Sequence, residues 1–258
     1  FYYADNPQDD TASAEKILGG KATSYRQWTE RIIKNYPETY SDEKEYWDKM
    51  TSGIADTNKI LEGIKRDEYV FTTISFDEEK TEKLLRDING VYNTGMNDLF
   101  LTALAASLPV VTGNKQNHIL LEGHGREELW ENVDISNTAG WFTSMYPVRI
   151  DASDGELASR IISMKELLRG IPRNGIGYGA LMGYISRELP RISFNYLGQF
   201  NSSEQGLWSI TTNEYVNDVS PLNRDTNIIN INGGIFDNRL SFSFAGYISQ
   251  AMIDMLAI

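Results

Sequence analysis

Two hydrophobic periods alternate along this chain, and that alternation restricts it to a fold in which strands and helices succeed one another. YVFTTISF at 69–76 is rich in β-branched and aromatic residues and reads as a strand. Asp77 caps the helix that follows, with Leu84, Leu85 and Ile88 inward and Gly90 at its end. Asn97 opens another helix through the apolar run DLFLTALAASL. HILLE, from His118 to Glu122, is short enough to be a buried strand. Glu156 to Arg169 is an amphipathic helix with Leu157, Ile161, Ile162 and Leu168 inward, closed by Gly170 and Pro172. RISFNYL at 191–197 is a strand, and Asn227 to Phe236 with Arg239 to Phe244 form a hairpin across Asp237-Asn238, two residue types that tolerate positive φ. The predicted class is a mixed-sheet α/β sandwich.

Ahead of the first strand, residues 1–22 are acidic and polar without a sustained period and read as a connector. Ser24 with Gln27 forms a capping-box pattern, Trp28, Ile32 and Tyr36 mark one helix face, and a second short helix carries Tyr46, Trp47 and Met50. Residues 23–52 thus read as a helical joint. The first residues, FYYADNPQDD, lack a Met and the layout of a signal peptide. At the other end Ile248, Met252, Ile253 and Leu256 recur at helical spacing up to the last residues, so the chain reads as a piece of a larger protein. Its most apolar stretch, Leu99 to Val111, falls short of the roughly 20 residues of a membrane span, and a cytoplasmic protein is expected.

Charge and composition then narrow the chemistry. With 24 Lys and Arg against 36 Asp and Glu, the net charge is −12, the opposite of the basic footprint that nucleic acid requires. Cys is absent and His118 and His124 are the two histidines, which excludes disulfide scaffolds, thiol nucleophiles, zinc fingers and iron–sulfur sites. Carboxylates, hydroxyls, backbone amides and two imidazoles are what remains.

Glu122 ends the apolar strand just before Gly123, His124, Gly125, Arg126 and Glu127. A carboxylate where a buried strand gives way to a glycine-flanked turn can be partly desolvated, which raises its pKa toward the range of a general base. The two glycines let backbone and substrate approach closely. Pairing with Arg126 as a structural ion pair accounts for the same residue equally well. His124 and Glu127 lack a clear third ligand, so no metal site is expected, and His118 is expected at a strand edge or the surface. GIGYGA at 175–180 has the form of a dinucleotide loop without the preceding strand or the later acidic residue, and reads as a flexible or close-packed loop beside a long thin substrate. In FNYLGQF at 194–200, Gly198 marks a bulge or close contact, and Tyr196 is either a satisfied core residue or a proton donor facing a cavity. GWFTSMYPVRI at 140–150 carries Pro147 and reads as an edge strand. Asn201 opens a glycosylation-like triplet that the absence of a secretory signal discounts.

Taken together, EGHGRE at 122–127, GWFTSMYPVR at 140–149, IPRNGIGYG at 171–179 and FNYLGQF at 194–200, with NDLFLTALAASL at 97–108 as a looser fifth, resemble in kind and order the C-terminal half of an epimerization domain of nonribosomal peptide synthetases. The resemblance implies the C-terminal lobe of the two-lobed, V-shaped chloramphenicol-acetyltransferase-like fold. It implies inversion, L to D, at the Cα of an aminoacyl or peptidyl thioester held on the 4′-phosphopantetheine of a carrier protein. No cofactor bound by the chain itself is implied. The partners implied are the carrier protein, the N-terminal lobe and neighbouring modules, with no membrane and no nucleic acid. Position by position, Glu122 matches the family's catalytic glutamate and Tyr196 a tyrosine implicated in activity, while His124, Arg126 and Asn195 match supporting residues. The family's double histidine, HHxxxD, has no counterpart here, which puts stand-alone activity in doubt. A peptide-bond-forming condensation domain and a non-catalytic carrier-docking lobe are the alternative readings.

Overall fold

The computed structural model describes residues 22–88, 93–152, 155–184, 189–200 and 225–258. Three helices come first: α1 (Tyr25–Thr39), α2 (Glu43–Thr51) and α3 (Ile54–Ile64). The capping box forms as the sequence suggests, with Gln27 N–H donating to Ser24 Oγ at 3.3 Å and Ser24 N–H to Gln27 Oε1 at 2.9 Å. Strand β1 (Val70–Ser75) leads into α4 (Glu78–Lys83), capped by the Asp77 carboxylate on Lys80 N–H. Leu84 and Leu85 are half-buried, on a π-helical turn, Leu84–Ile88, in place of the regular helix expected there; Gly90 lies outside the described residues. The next helix, α5 (Met96–Ser107), opens one residue before Asn97, because the Asp98 carboxylate reaches back to Gly95 N–H at 2.8 Å and fixes Gly95 as the cap. A single turn, α6 (Pro109–Thr112), joins it to β2 (Gln116–Gly123), followed by β3 (Ser144–Asp151), α7 (Leu157–Arg169), α8 (Tyr178–Met182), β4 (Ile192–Phe200), β5 (Ile229–Phe236), β6 (Arg239–Gly246) and α9 (Gln250–Leu256).

The six strands form one mixed sheet in the order β1-β6-β5-β4-β2-β3. Strand β2 is antiparallel to β3 and parallel to β4, and β4 is parallel to β5. The expected hairpin joins β5 and β6, with Asp237 at φ 47° and Asn238 at φ 62°. Pro147 sits on β3, an edge of this sheet, where its missing N–H costs no inner ladder bond. The bulge marked by Gly198 is present as a register shift between Tyr196 and Gln199, with Gly198 at φ 91°.

Alternation along the strands gives the sheet two unlike faces. Ile119, Leu121, Phe194, Ile231, Phe242 and Phe244 belong to the main core together with Leu101 and Leu104 of α5 and Ile253 and Leu256 of α9. Each such burial contributes about 1.5–3 kcal/mol. Helix α9 is capped by Ser249, and Ile248 with Ile253 occupies the two positions of a hydrophobic staple, both fully buried. Helix α7 departs from its expected inner face. It packs on α5 with Ile161 and Met164 buried, whereas Leu157 and Ile162 are exposed. Ile162 is a further 100° round the helix from Ile161, and Leu157 lies in the first turn of α7.

His118 also differs from expectation. It is buried, 3% exposed, with Thr57 Oγ1 of α3 3.0 Å from its Nδ1. Glycine at 53, at φ 93°, lets the backbone pass over the ring: a Cβ there would lie 3.3 Å from His118 Cε1. Helix α3 covers this end of β2, and a strand's own sequence cannot report such cover.

Candidate active site at the end of strand β2

Glu122 is the penultimate residue of β2, exposed, beside the edge strand on one side and β4 on the other. The register places Leu121 opposite Phe194, so Glu122 is next to Asn195, and Asn195 Nδ2 donates to Glu122 Oε2 at 3.4 Å. Both side chains rise from the same face of the sheet. The Glu122–Arg126 ion pair considered from sequence does not form. Arg126 instead donates to the carbonyls of Ile135 at 2.7 Å and Thr138 at 2.8 Å and stacks over the Phe142 ring, 4.0 Å from its centroid. Among the described residues Asn195 is the side-chain partner of Glu122, and the carboxylate is exposed.

The turn after Glu122 is held tightly. Arg126 N–H donates to His124 Nδ1 at 3.0 Å, and His124 Nε2 lies 3.3 Å from Glu127 Oε1. Asn174 Nδ2 donates to the other oxygen, Glu127 Oε2, at 3.0 Å. Glycine is required at 125, where φ is 69° and a Cβ would lie 1.7 Å from the Phe142 carbonyl oxygen. The glycine is therefore used for the protein's own backbone contact. Among the described residues no cluster of three or more metal-ligating side chains occurs.

IPRNGIGYG is a close-packed loop. Arg173 (φ 42°), Asn174 (φ 51°) and Gly175 (φ 79°) make a left-handed turn, which costs a non-glycine residue about 1–2 kcal/mol. Two anchors hold it: Arg173 pairs with Glu43, a carboxylate that is buried and also accepts from Tyr36 Oη at 2.9 Å, and Asn174 holds Glu127. Buried beside Glu43, the Tyr36 phenol is pushed well above its ordinary pKa, first by desolvation and then by the carboxylate, so it serves as a donor. The Gly175 backbone rests against the Tyr146 ring.

Tyr196 is placed apart from Glu122. One residue beyond Asn195, it points to the opposite face and packs against Phe100 at 5.0 Å and Phe242 at 6.5 Å between centroids. Those two rings line an apolar cavity of about 270 Å³, and burial raises the Tyr196 pKa. The structure thus brings Glu122 and Asn195 together, ties His124 and Arg126 into the supporting turn, and sets Tyr196 behind the strand. All four segments of the resemblance meet at 122–127: Phe142 under Arg126, Asn174 on Glu127, and Asn195 on Glu122.

Sequence reasoning missed three residues on Glu122's face. Asn195 pairs with Asn232, Asn232 with Ser243, and Ser243 with Thr73, so Glu122, Asn195, Asn232, Ser243 and Thr73 form one row across five strands. The alternation of Asn230 and Asn232 with isoleucines was a signal that these side chains share a face, though not that they lie beside Glu122.

A model of the condensation domain family matches residues 11–245. The chain belongs to the condensation domain family. Bacitracin synthase 3 of Bacillus licheniformis is 41% identical over 196 residues, 72% of this chain and 3% of that protein. Gramicidin S synthase 1 of Brevibacillus brevis is 33% identical over 253 residues, 88% of this chain and 23% of that protein. This condensation-family chain therefore spans less than a quarter of either relative. Among solved structures, the epimerization domain from the third module of tyrocidine synthetase B is similar with a TM-score of 0.75 and 28% identity, over 99% of this chain and 60% of that one. The resemblance read from the four segments, and the mixed α/β fold that it implied, stand. No helix among the described residues is long and apolar enough to cross a membrane.

Proposed function

We propose that this condensation-family chain is the C-terminal lobe of an epimerization domain, inverting the Cα of an acyl thioester carried on the 4′-phosphopantetheine of a carrier protein. The observation that supports the reading is Glu122, an exposed carboxylate at the end of a buried strand, oriented by one amide donor and with no side-chain donor on its other oxygen among the described residues. The α-hydrogen of a thioester is acidic enough for a carboxylate base to remove. Glu122 takes that proton on one face of Cα, the electron pair moves into the enolate, and a proton delivered to the other face completes inversion. The second acid is assigned to an N-terminal lobe bearing the histidine pair, and the helices of residues 23–52 to the joint between lobes. Asn195 holds the carboxylate, Arg126 and His124 hold the turn that carries it, and Tyr196 backs the strand from the apolar side. Carrier protein and neighbouring modules are the assigned partners and the cytoplasm the assigned compartment.

The family match itself favours a second reading, amide-bond formation between two carrier-bound groups. Chiral analysis of a carrier-loaded L-aminoacyl thioester, incubated with the intact protein with and without an acceptor amine, separates the two. Appearance of the D-form without acceptor supports epimerization; amide product with retained configuration overturns it. Neither product would leave the lobe a carrier-docking element.

A further inference from the structure

We infer that Glu43, a buried carboxylate on α2, is a positioning residue for the turn that carries Glu122, so that helices α1 and α2 set where the proposed base stands. The inference rests on the reading of Glu122 as the base acting on a carrier-bound acyl thioester. Its basis is a run of contacts across segments distant in sequence. Glu43 pairs with Arg173, Asn174 holds Glu127, and the Asn174 backbone lies against Gly123, the residue next to Glu122.

The first link is unfavourable by itself. Glu43 is 5% exposed, and a carboxylate taken out of water needs partners that replace its hydration. The Tyr36 hydroxyl of α1 donates to both oxygens, at 2.9 and 3.0 Å, and Arg173 pairs with Oε1 while its guanidinium lies 3.6 Å from the centre of the Tyr40 ring. Well-packed apolar groups in place of a buried ion pair are often as stable or more so, which directs attention to what the pair holds in place. It holds the left-handed turn at Arg173 and Asn174, φ 42° and 51°, a backbone that residues other than glycine keep only where their surroundings impose it.

With Arg173 fixed, Asn174 meets both ends of the 123–127 turn. Its Nδ2 donates to Glu127 Oε2 at 3.0 Å, and a Cβ on Gly123 would stand 3.1 Å from its carbonyl oxygen. Gly175 follows against the ring of Tyr146, the residue paired with Leu121 across β2 and β3. The loop is thus seated on the strand end from which Glu122 rises. Its far side, at Gly177, lies against the Tyr36 ring. A shift of α1 or α2 is therefore passed to the carboxylate, and a base misplaced by about 1 Å can lose about 100-fold in rate.

The test follows amide hydrogen exchange, and Cα–H exchange of a carrier-loaded thioester, in the intact protein. Glu43→Gln keeps the size and an acceptor for Tyr36 but removes the charge that holds Arg173. Arg173→Gln cuts the same link from a side chain that is 39% exposed, for use where the buried change does not fold, and Arg173→Lys keeps the charge. The expected result in either Gln variant is amide exchange at least 5-fold faster at 123–127 and 172–176, changed less than 2-fold at 240–256, and close to wild type in Arg173→Lys. For Cα exchange, kcat should fall about 5-fold or more with KM within 2-fold, and Arg173→Lys should restore it. Faster amide exchange that stops at 172–176, or that spreads evenly through the protein, overturns the inference, as does an unchanged kcat in both Gln variants. A wild type that exchanges no Cα proton refutes the epimerase reading, and amide exchange then decides the link to the turn by itself; wild-type turnover with 123–127 unmoved in the variants does the reverse.

Discussion

Acid should destabilise this protein through one residue, and the size of the effect follows from its surroundings. His118 is buried under α3, and its pKa is lowered from 6.5 to about 4, chiefly by burial, with the Ser52 backbone opposing the shift and the Arg149 charge adding to it. The folded state therefore holds the ring neutral, whereas the unfolded chain binds a proton below pH 6.5. Stability from this source is complete above pH 6.5 and is lost as pH falls toward 4, at about 1.4 kcal/mol per pH unit. Over that window the loss is about 3 kcal/mol, a large part of the 5–15 kcal/mol typical of a domain. Urea unfolding of wild type and His118→Asn at intervals between pH 7.5 and 4 isolates the contribution of the ring. Asn keeps a polar group near Thr57 and gains no charge, so its stability should fall by about 3 kcal/mol less than that of wild type across the window. Parallel curves would refute the reasoning, as would an NMR titration showing His118 protonating near 6.5 in the folded protein.

Three further substitutions test the turn that carries Glu122. Gly125→Ala places a Cβ against the Phe142 carbonyl and forces a side chain into φ 69°, so activity should fall at least 10-fold, with a lower unfolding midpoint; a variant indistinguishable from wild type would mean that the turn is not held as described. Glu127→Ala frees Asn174 and His124, and hydrogen exchange should quicken at 172–176 and 123–127 together, while Glu127→Gln, which still accepts from Asn174, should protect 172–176. Faster exchange in one segment alone would show that the two loops are not coupled.

Local chemistry made much of this fold legible. The capping box at Ser24, the Asp237-Asn238 turn and the Gly198 bulge each depend on a few adjacent residues, and all three formed. Cover supplied from a distance was not legible. His118 looked like a strand-edge residue because α3, some 60 positions earlier, is what buries it. Leu157 and Ile162 looked inward because the apolar pattern of α7 is wider than the face, Ile161 and Met164, that it buries. The site was legible in its residues more than in its geometry. Strand alternation alone separates Asn195 from Tyr196, yet which of them accompanies Glu122 depends on the β2–β4 register, and the row through Asn232, Ser243 and Thr73 on three further pairings. Arg126 could be read as Glu122's partner until Ile135, Thr138 and Phe142 were seen to occupy it.

The central claim is that the Glu122 carboxylate moves the Cα proton. In deuterium oxide, with the intact protein and a carrier-loaded thioester, mass spectrometry follows Cα–H exchange directly. Wild type should incorporate deuterium at Cα, and Glu122→Gln, which keeps the size and the Asn195 contact but cannot take a proton, should slow exchange by about 10²–10⁴-fold with carrier binding unchanged. Exchange at the wild-type rate in Glu122→Gln would contradict it.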